Sequence, residues 1–381
     1  MAQQEFREQT AARLLSLVEP AGRLKAFVGL DGFVDEIIHA VGKRDNAEAY
    51  QRLPTIKSLG ERILGAAGKS TNIELVNQRT KLGGNGPIMA NALAALGIKV
   101  TYVGALGYPV VHPVFNEFAQ RAEVHSIAEP GHTHALEFDD GKLMLTKTTQ
   151  LNEVNWANLQ TRYGRGQFLS QMADSDLVAF VNWTMIPYMS EIWAAVLEDL
   201  ETQQQRLGRD ASPYHTIFFD LADPEKRTPK DIARALELIT RFGKYFAVVL
   251  GLNEKESSEA GRVLGLNTND HSGQGLSTLA REIRAKLGVN TVVVHPVDAA
   301  IAVSEGSLSA VDGPFTDKPL ITTGAGDHFN AGFCLGKLLG FENAASLILG
   351  VTASGYYVRT GQSPAIADLV KMLRDWPKRR V

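Results

Sequence analysis

From Asp176 onward the chain alternates short apolar runs with longer amphipathic ones, and this rhythm constrains the fold more than any other feature. Leu177 to Val181, Thr216 to Phe219, Ala247 to Leu250, Thr291 to Val294 and Ala300 to Val303 read as strands. Met189 to Leu200, Pro229 to Phe242 and Leu276 to Leu287 read as helices. Strands without a polar face need cover on both sides, which the intervening helices supply. The pattern therefore predicts an α/β fold with a doubly wound, mostly parallel sheet. Ligands of such sheets bind beyond the C-terminal strand ends. Polar residues recur at that edge: Asp35, Asp220, Asn253 and Glu256.

The first half is less regular. Glu5 to Leu17 has the spacing of an outer amphipathic helix, and Ala26 to Val28 is a short strand. Beyond it lie Asp31 and Asp35, which can serve a ligand or simply form a turn around Gly32. Lys43 to Gly68 is polar and helix-prone, interrupted by Pro54. Ile73 to Thr80 reads as a strand. It leads to the glycine-rich turn Leu82-Gly83-Gly84-Asn85-Gly86-Pro87 and an alanine-rich helix, Ile88 to Leu96. Val100 to Val103 is expected as a strand and Pro113 to Ala122 as a helix. Thr133 to Phe138 and Lys142 to Thr148, joined by Asp139-Asp140-Gly141, predict a hairpin. With strands near Ile37 and Ile73 it would build a small sheet standing off the main one. The expectation is one domain over 1–381, with a β lid drawn from about 31–42, 71–80 and 100–150.

Composition narrows the function. A formal net charge of −3 gives no basis for nucleic acid or an anionic membrane as partner. One cysteine, Cys334 in an apolar helix, excludes an internal disulfide framework and fits a reducing compartment. No signal-peptide core or membrane-length apolar run is present, so a cytoplasmic protein is expected.

The chemistry concentrates at Thr322-Thr323-Gly324-Ala325-Gly326-Asp327, which runs into an Ala/Gly/Leu-rich helix reaching about Leu339. Small residues at a helix N-terminus bring unpaired amides close to a ligand, which suits a phosphate. A carboxylate there repels phosphate unless it has a task. Asp327 is either a helix cap or the group that takes a proton from an attacking hydroxyl.

These residues resemble the ribokinase-like (PfkB) carbohydrate kinase family. Thr322 to Asp327, followed by Phe329 and Ala331-Gly332-Phe333, is similar to that family's C-terminal signature. The Gly83-Gly84 turn with its helix ending Leu96-Gly97 is similar to the N-terminal signature. Asn253-Glu254-Lys255-Glu256 matches an Asn-x-x-Glu motif, Phe219-Asp220 through Arg227 an Asp…Arg segment, and Val358-Arg359-Thr360-Gly361 a loop-and-glycine element. The matches stand in family order from about Ala26 to the C-terminus.

The resemblance implies a ribokinase-like α/β body with a β lid, moving the ATP γ-phosphoryl group to a hydroxyl of a sugar, sugar derivative or nucleoside. It implies Asp327 as base, and amides of Gly324, Ala325, Gly326 and Asp327 as an anion hole. Asp35, Asp31, Gly83, Gly84 and Asn85 would hold the sugar. Thr323 and Gly361 would contact the nucleotide, with Asn253 and Glu256 holding Mg²⁺ through water. The segment Lys43 to Gly68 and the lid sheet are the surfaces on which a homodimer could form.

The chain departs from the family pattern in four places. Ile88 stands where a sugar-binding Asn is common, with Asn85 or Asn91 as substitutes. Ile321 replaces an Asp near a monovalent cation, which leaves potassium dependence open. Val294-His295-Pro296-Val297-Asp298-Ala299 replaces a Thr-x-Gly turn near the nucleotide phosphates. His328 replaces a small residue and is expected to face solvent or to support the site from outside it. These departures favour the alternative of a non-catalytic sugar or nucleotide sensor; the intact Asp327, Asn253 and Glu256 oppose it. A dinucleotide-dependent oxidoreductase is disfavoured, since Gly29-Leu30-Asp31-Gly32 lacks the third glycine of that fingerprint.

Overall fold

The computed structural model describes residues 2–207 and 215–377; residues 1, 208–214 and 378–381 of the expected domain lie outside them. A nine-stranded sheet forms the body. Its spatial order is Ser307–Asp312, Ala299–Ser304, Thr291–Val294, Ala247–Leu252, Thr216–Asp220, Leu177–Phe180, Lys25–Leu30, Lys99–Gly104 and Glu123–Ser126. Pairing is parallel from Thr291–Val294 across to Glu123–Ser126. The first two strands pair antiparallel and close one edge.

Both faces of the inner strands are buried, which is why they read as continuous apolar runs. The faces alternate along each strand. Phe27, Phe180 and Phe219 enter one core with Phe168, Trp193 and Phe242. Val28, Ala179 and Phe218 enter the other with Phe118, Phe329 and Phe333. Cys334 is buried in that second core, and burial pushes its thiol pKa up.

Four helices matter for the site: α1 (Asn85–Ala95), α2 (Glu254–Val263), α3 (Ala325–Leu338) and α4 (Asn343–Thr360). The packing of α3 on α4 depends on glycine. A Cβ on Gly332 would stand 2.6 Å from the Leu349 carbonyl oxygen, and one on Gly336 2.7 Å from Ser346 Cα.

A separate five-stranded sheet forms the lid. Phe33–Arg44 is its spine: Gly131–Phe138 and Leu75–Gly83 flank it, Tyr50–Arg52 pairs with its C-terminal end, and Gly141–Lys147 pairs with Gly131–Phe138. The Asp-Gly hairpin forms where the alternation placed it. Part of the expected lid belongs elsewhere: within 100–150, Lys99–Gly104 and Glu123–Ser126 are strands of the large sheet. Lys43 to Gly68 is likewise not one helical segment. Lys43 and Arg44 end the spine strand, Tyr50–Arg52 is a strand, and only Ile56–Gly65 is helical, started by a Thr55–Ser58 capping box. Pro113 to Ala122 reduces to a 3₁₀ turn, Pro113–Phe115, and a short helix, Asn116–Ala119.

Because the Gly332 contact is with backbone, Gly332→Ala should destabilise the fold by about 1–3 kcal/mol, as overpacking does. An unchanged urea midpoint would show that the helix pair separates without cost.

Candidate active site

The parallel strands deliver their polar followers to one edge. Lys25–Leu30 leads to Asp31, Leu177–Phe180 to Asn182, Thr216–Asp220 ends in Asp220, Ala247–Leu252 leads to Asn253, and Thr291–Val294 to His295. Two helix N-termini, those of α1 and α3, face this edge.

Asp31 is fully buried, and its oxygens are committed. Oδ1 accepts from the Gly86 amide at 2.8 Å; Oδ2 accepts from the Asn85 amide at 2.9 Å and Asn182 Nδ2 at 2.6 Å. Gly84, at φ +94°, makes the approach possible, since a Cβ there would lie 2.8 Å from Asp31 Oδ2. Burial raises the Asp31 pKa to about 6, against the pull of those donors. Asp31, expected to hold sugar, makes the capping contacts of α1.

Asp35 lies on the lid spine directly opposite Lys81, and Phe33 opposite Gly83. Asp35 is buried, bonded to Thr133, and so close to Gly83 that a Cβ there would stand 2.3 Å from its Cγ. Burial raises its pKa; Lys81, Thr133 and Lys142 oppose that. Lys81, which sequence reading passed over, is the lid cation that acts electrostatically on both Asp35 and Asp327. Its period-two relation to Gly83 was the available signal.

Asp327 stands in the first turn of α3, 5% exposed. Asn85 Nδ2, at the start of α1, donates to its Oδ1 at 3.0 Å. Burial pushes its pKa well above the usual carboxylate range. The Asn85 bond opposes this, while Asp31 and Glu256 add to it. The Ala325 amide, expected in the anion hole, is taken by the Thr322 carbonyl at 3.1 Å, which closes the turn. No backbone acceptor takes the amides of Gly324, Gly326 or Asp327 among the described residues.

In front of this turn lies a cavity of about 380 Å³. Thr322, Ala325, Gly326 and Phe329 form its floor, Asn253 and His295–Val297 one wall, and Gly313–Thr316 with Gly355 and Val358 the other. Thr322 rather than Thr323, and Val358 rather than Gly361, line it. Val358 to Thr360 is the last turn of α4 rather than a loop, and Gly361 is its left-handed C-cap at φ +70°. His295 packs on Phe329 with ring centroids 4.7 Å apart and keeps a buried Nε2 without a partner.

Asn253 and Glu256 form a reciprocal capping box at the start of α2: the Asn253 side chain accepts from the Glu256 amide, and Glu256 Oε2 from the Asn253 amide. Glu256 Oε1 also accepts from the Asp223 amide at 3.0 Å. Burial raises the pKa of both Glu256 and Asp220, and Glu256 and Asp327 raise that of Asp220 further. His328, expected to face solvent or to support the site from outside it, is 1% exposed and bonds the Gly324 carbonyl in the turn that begins α3. Asn91 bonds Ser363 at 3.2 Å.

Removing the α1 cap with Asp31→Ala would leave two amides and the Asn182 side chain unpaired in the interior. Each orphaned donor costs about 1–3 kcal/mol, so a large fall in the thermal midpoint is expected. A midpoint equal to wild type would show that water replaces the carboxylate.

No helix among the described residues is long and apolar enough to cross a membrane. The family model of prokaryotic ketohexokinases matches residues 7–376. A ketohexokinase of Haloferax volcanii is 30% identical over 356 residues, covering 93% of this chain and 92% of that protein. Among solved structures, Arabidopsis thaliana ribokinase complexed with ribose and ATP superposes with a TM-score of 0.63 at 17% identity, covering 92% of this chain and 98% of that one. Adenosine kinase of Sinorhizobium meliloti gives 0.60 at 17% identity over 92% and 98%. The ribokinase-like fold and the order of motifs agree with these likenesses: the chain belongs to the prokaryotic ketohexokinase family and is an ATP-dependent carbohydrate kinase.

Proposed function

We propose that the chain transfers the γ-phosphoryl group of ATP to a primary hydroxyl of a ketohexose, with Asp327 as the base. The observation that carries this reading is the meeting of a buried carboxylate and unpaired helix-terminal amides in front of a cavity. The name of the Haloferax volcanii relative supports a ketohexose as acceptor.

A sugar hydroxyl is a poor nucleophile at neutral pH, so its proton must leave as the O–P bond forms. Asn85 holds Asp327 Oδ1, which orients the carboxylate and leaves Oδ2 to accept that proton. The amides of Gly324, Gly326 and Asp327 would stabilise the charge on the phosphoryl oxygens as bridging bonds exchange, each worth roughly 3–4 kcal/mol by analogy with oxyanion holes. The cavity beside Gly326 would take the nucleotide, with Thr322, Phe315 and Val358 around it. The sugar would lie on the lid side, near Asp35, Gly83 and Asn85, and Lys81 would offset the charge of Asp35 and Asp327. Closure of the lid would exclude water from the transfer.

No group of three or more His, Cys, Asp or Glu among the described residues is placed to ligate a metal directly, so a divalent cation would be held through water. Asp220, Glu256 and Asp327 are buried within electrostatic reach of one another, and a cation arriving with ATP relieves their repulsion. Because Glu256 already caps α2, it and Asn253 would hold Mg²⁺ through its water shell, as that ion commonly allows. Mg²⁺ would neutralise phosphate charge. The lone buried Cys334 suits a reducing cytoplasm.

In a coupled ADP-release assay over ketohexoses, aldoses, sugar acids and nucleosides, a ketohexose should give the highest kcat/KM, and Asp327→Asn should lose at least about a hundredfold. Turnover of another class alone would replace the substrate; full activity in the variant would reject the base. Binding without ADP release would identify a sensor. The base accepts a proton only when ionised, and its pKa is raised. The kcat/KM profile should therefore fall on acidification along a limb lying above about pH 4, the ordinary carboxylate value. A profile flat down to that pH would contradict the assignment.

A further inference from the structure

The turn that begins α3 is gripped from the side of α4. Tyr357, on α4, donates its hydroxyl to the Thr323 carbonyl at 3.0 Å. His328, one turn into α3, meets the Gly324 carbonyl twice, through its backbone N–H at 3.1 Å and its ring Nδ1 at 2.7 Å. A carbonyl only accepts, so Nδ1 carries the ring proton and Nε2 is the acceptor. Ser363 Oγ, 2.9 Å from Nε2, therefore donates to it, and Asn91 Nδ2 donates in turn to Ser363 at 3.2 Å. Burial lowers the His328 pKa to about 4, which keeps this neutral tautomer at physiological pH. The imidazole lies flat on the Tyr357 ring, with centroids 3.7 Å apart and planes inclined by 14°.

The consequence for the turn is geometric. In a trans peptide the carbonyl and the following N–H point in opposite directions. Drawing the Thr323 carbonyl onto Tyr357 aims the Gly324 N–H the other way, and that amide has no backbone acceptor. Fixing the Gly324 carbonyl with two donors holds the next peptide, whose Ala325 N–H closes the turn on Thr322. Gly324 adopts φ +96°, a conformation with no preference of its own for one narrow orientation, so outside contacts must choose it.

We propose that Tyr357 and His328 are positioning residues for phosphoryl transfer, holding the Thr323–Gly324–Ala325 backbone so that the free amides of Gly324, Gly326 and Asp327 meet the transferred group. The assignment rests on the anion-hole reading above. It differs from a packing role in what it predicts: loss in the transition state with ground-state binding retained.

Three variants separate the contacts. Tyr357→Phe keeps the ring and the stack and removes only the hydroxyl. His328→Leu removes donor and stack, and His328→Asn restores a donor near the Nδ1 position. Tyr357→Phe should lower kcat roughly tenfold, the factor for one well-placed hydrogen bond, with KM for sugar and ATP within about twofold. His328→Leu should lose more than His328→Asn. Affinity for MgADP with aluminium fluoride and sugar, measured by calorimetry, should fall in step with kcat while affinity for MgADP alone holds.

Wild-type kcat in Tyr357→Phe, with Asp327→Asn inactive, would overturn the positioning role and leave the base intact. Loss that follows KM or the thermal midpoint would also overturn it, in favour of packing. Should His328→Leu fail to fold, Tyr357→Phe decides alone. Full activity in Asp327→Asn would remove both readings.

Discussion

The site depends on two helix N-termini brought together at one end of a parallel sheet. Unpaired amides and aligned peptide dipoles make each terminus mildly positive. Asp31 caps the first helix, and Asp327 sits in the first turn of the second. Asn85 joins them, with its backbone N–H on Asp31 and its side chain on Asp327. One residue thus sets the distance between the lid-side turn and the phosphoryl-side turn. Nothing of this works without the sheet, because only its strand ends place Asp31 and the α3 turn on the same edge.

The arrangement leaves negative charge unbalanced. Asp35, Asp220, Glu256 and Asp327 are all buried there, and burial raises each pKa. Lys81 is the nearby lid cation acting on two of them. A site built this way is incomplete in electrostatic terms until cations arrive. Under the proposed function, a metal accompanying the nucleotide would offset the charge of both the phosphates and these acidic side chains.

Much of this was legible in the sequence, and the failures have physical causes. The strands Thr216–Asp220, Ala247–Leu252 and Thr291–Val294 were visible because burial on both faces forces unbroken apolar runs. The hairpin was visible because Asp-Gly has a strong turn preference. Helix α4 was not, because it is buried nearly all round and shows no polar stripe to mark a period. Asp31 could not be told from a ligand, since a cap and a sugar contact ask for the same carboxylate. What decides between them is the three donors that converge on it from distant segments. Lys81 was missed for the opposite reason, being an ordinary strand lysine whose importance comes from the register that sets it against Asp35.

The departures from the family pattern also make sense together rather than singly. Ile88 is buried and apolar, and a Cβ on Gly324 would lie 3.2 Å from its Cγ2. At Gly324, then, Ile88 meets the turn with hydrocarbon, while Asn85 at the start of α1 bonds Asp327. The polar contacts to the Thr323 and Gly324 carbonyls come from Tyr357 and from a histidine where a small residue is usual. Asn91, one turn beyond Ile88 on α1, reaches the same network through Ser363. Under the proposed function this turn presents amides to the transferred phosphoryl group, and Tyr357 and His328 hold its carbonyls.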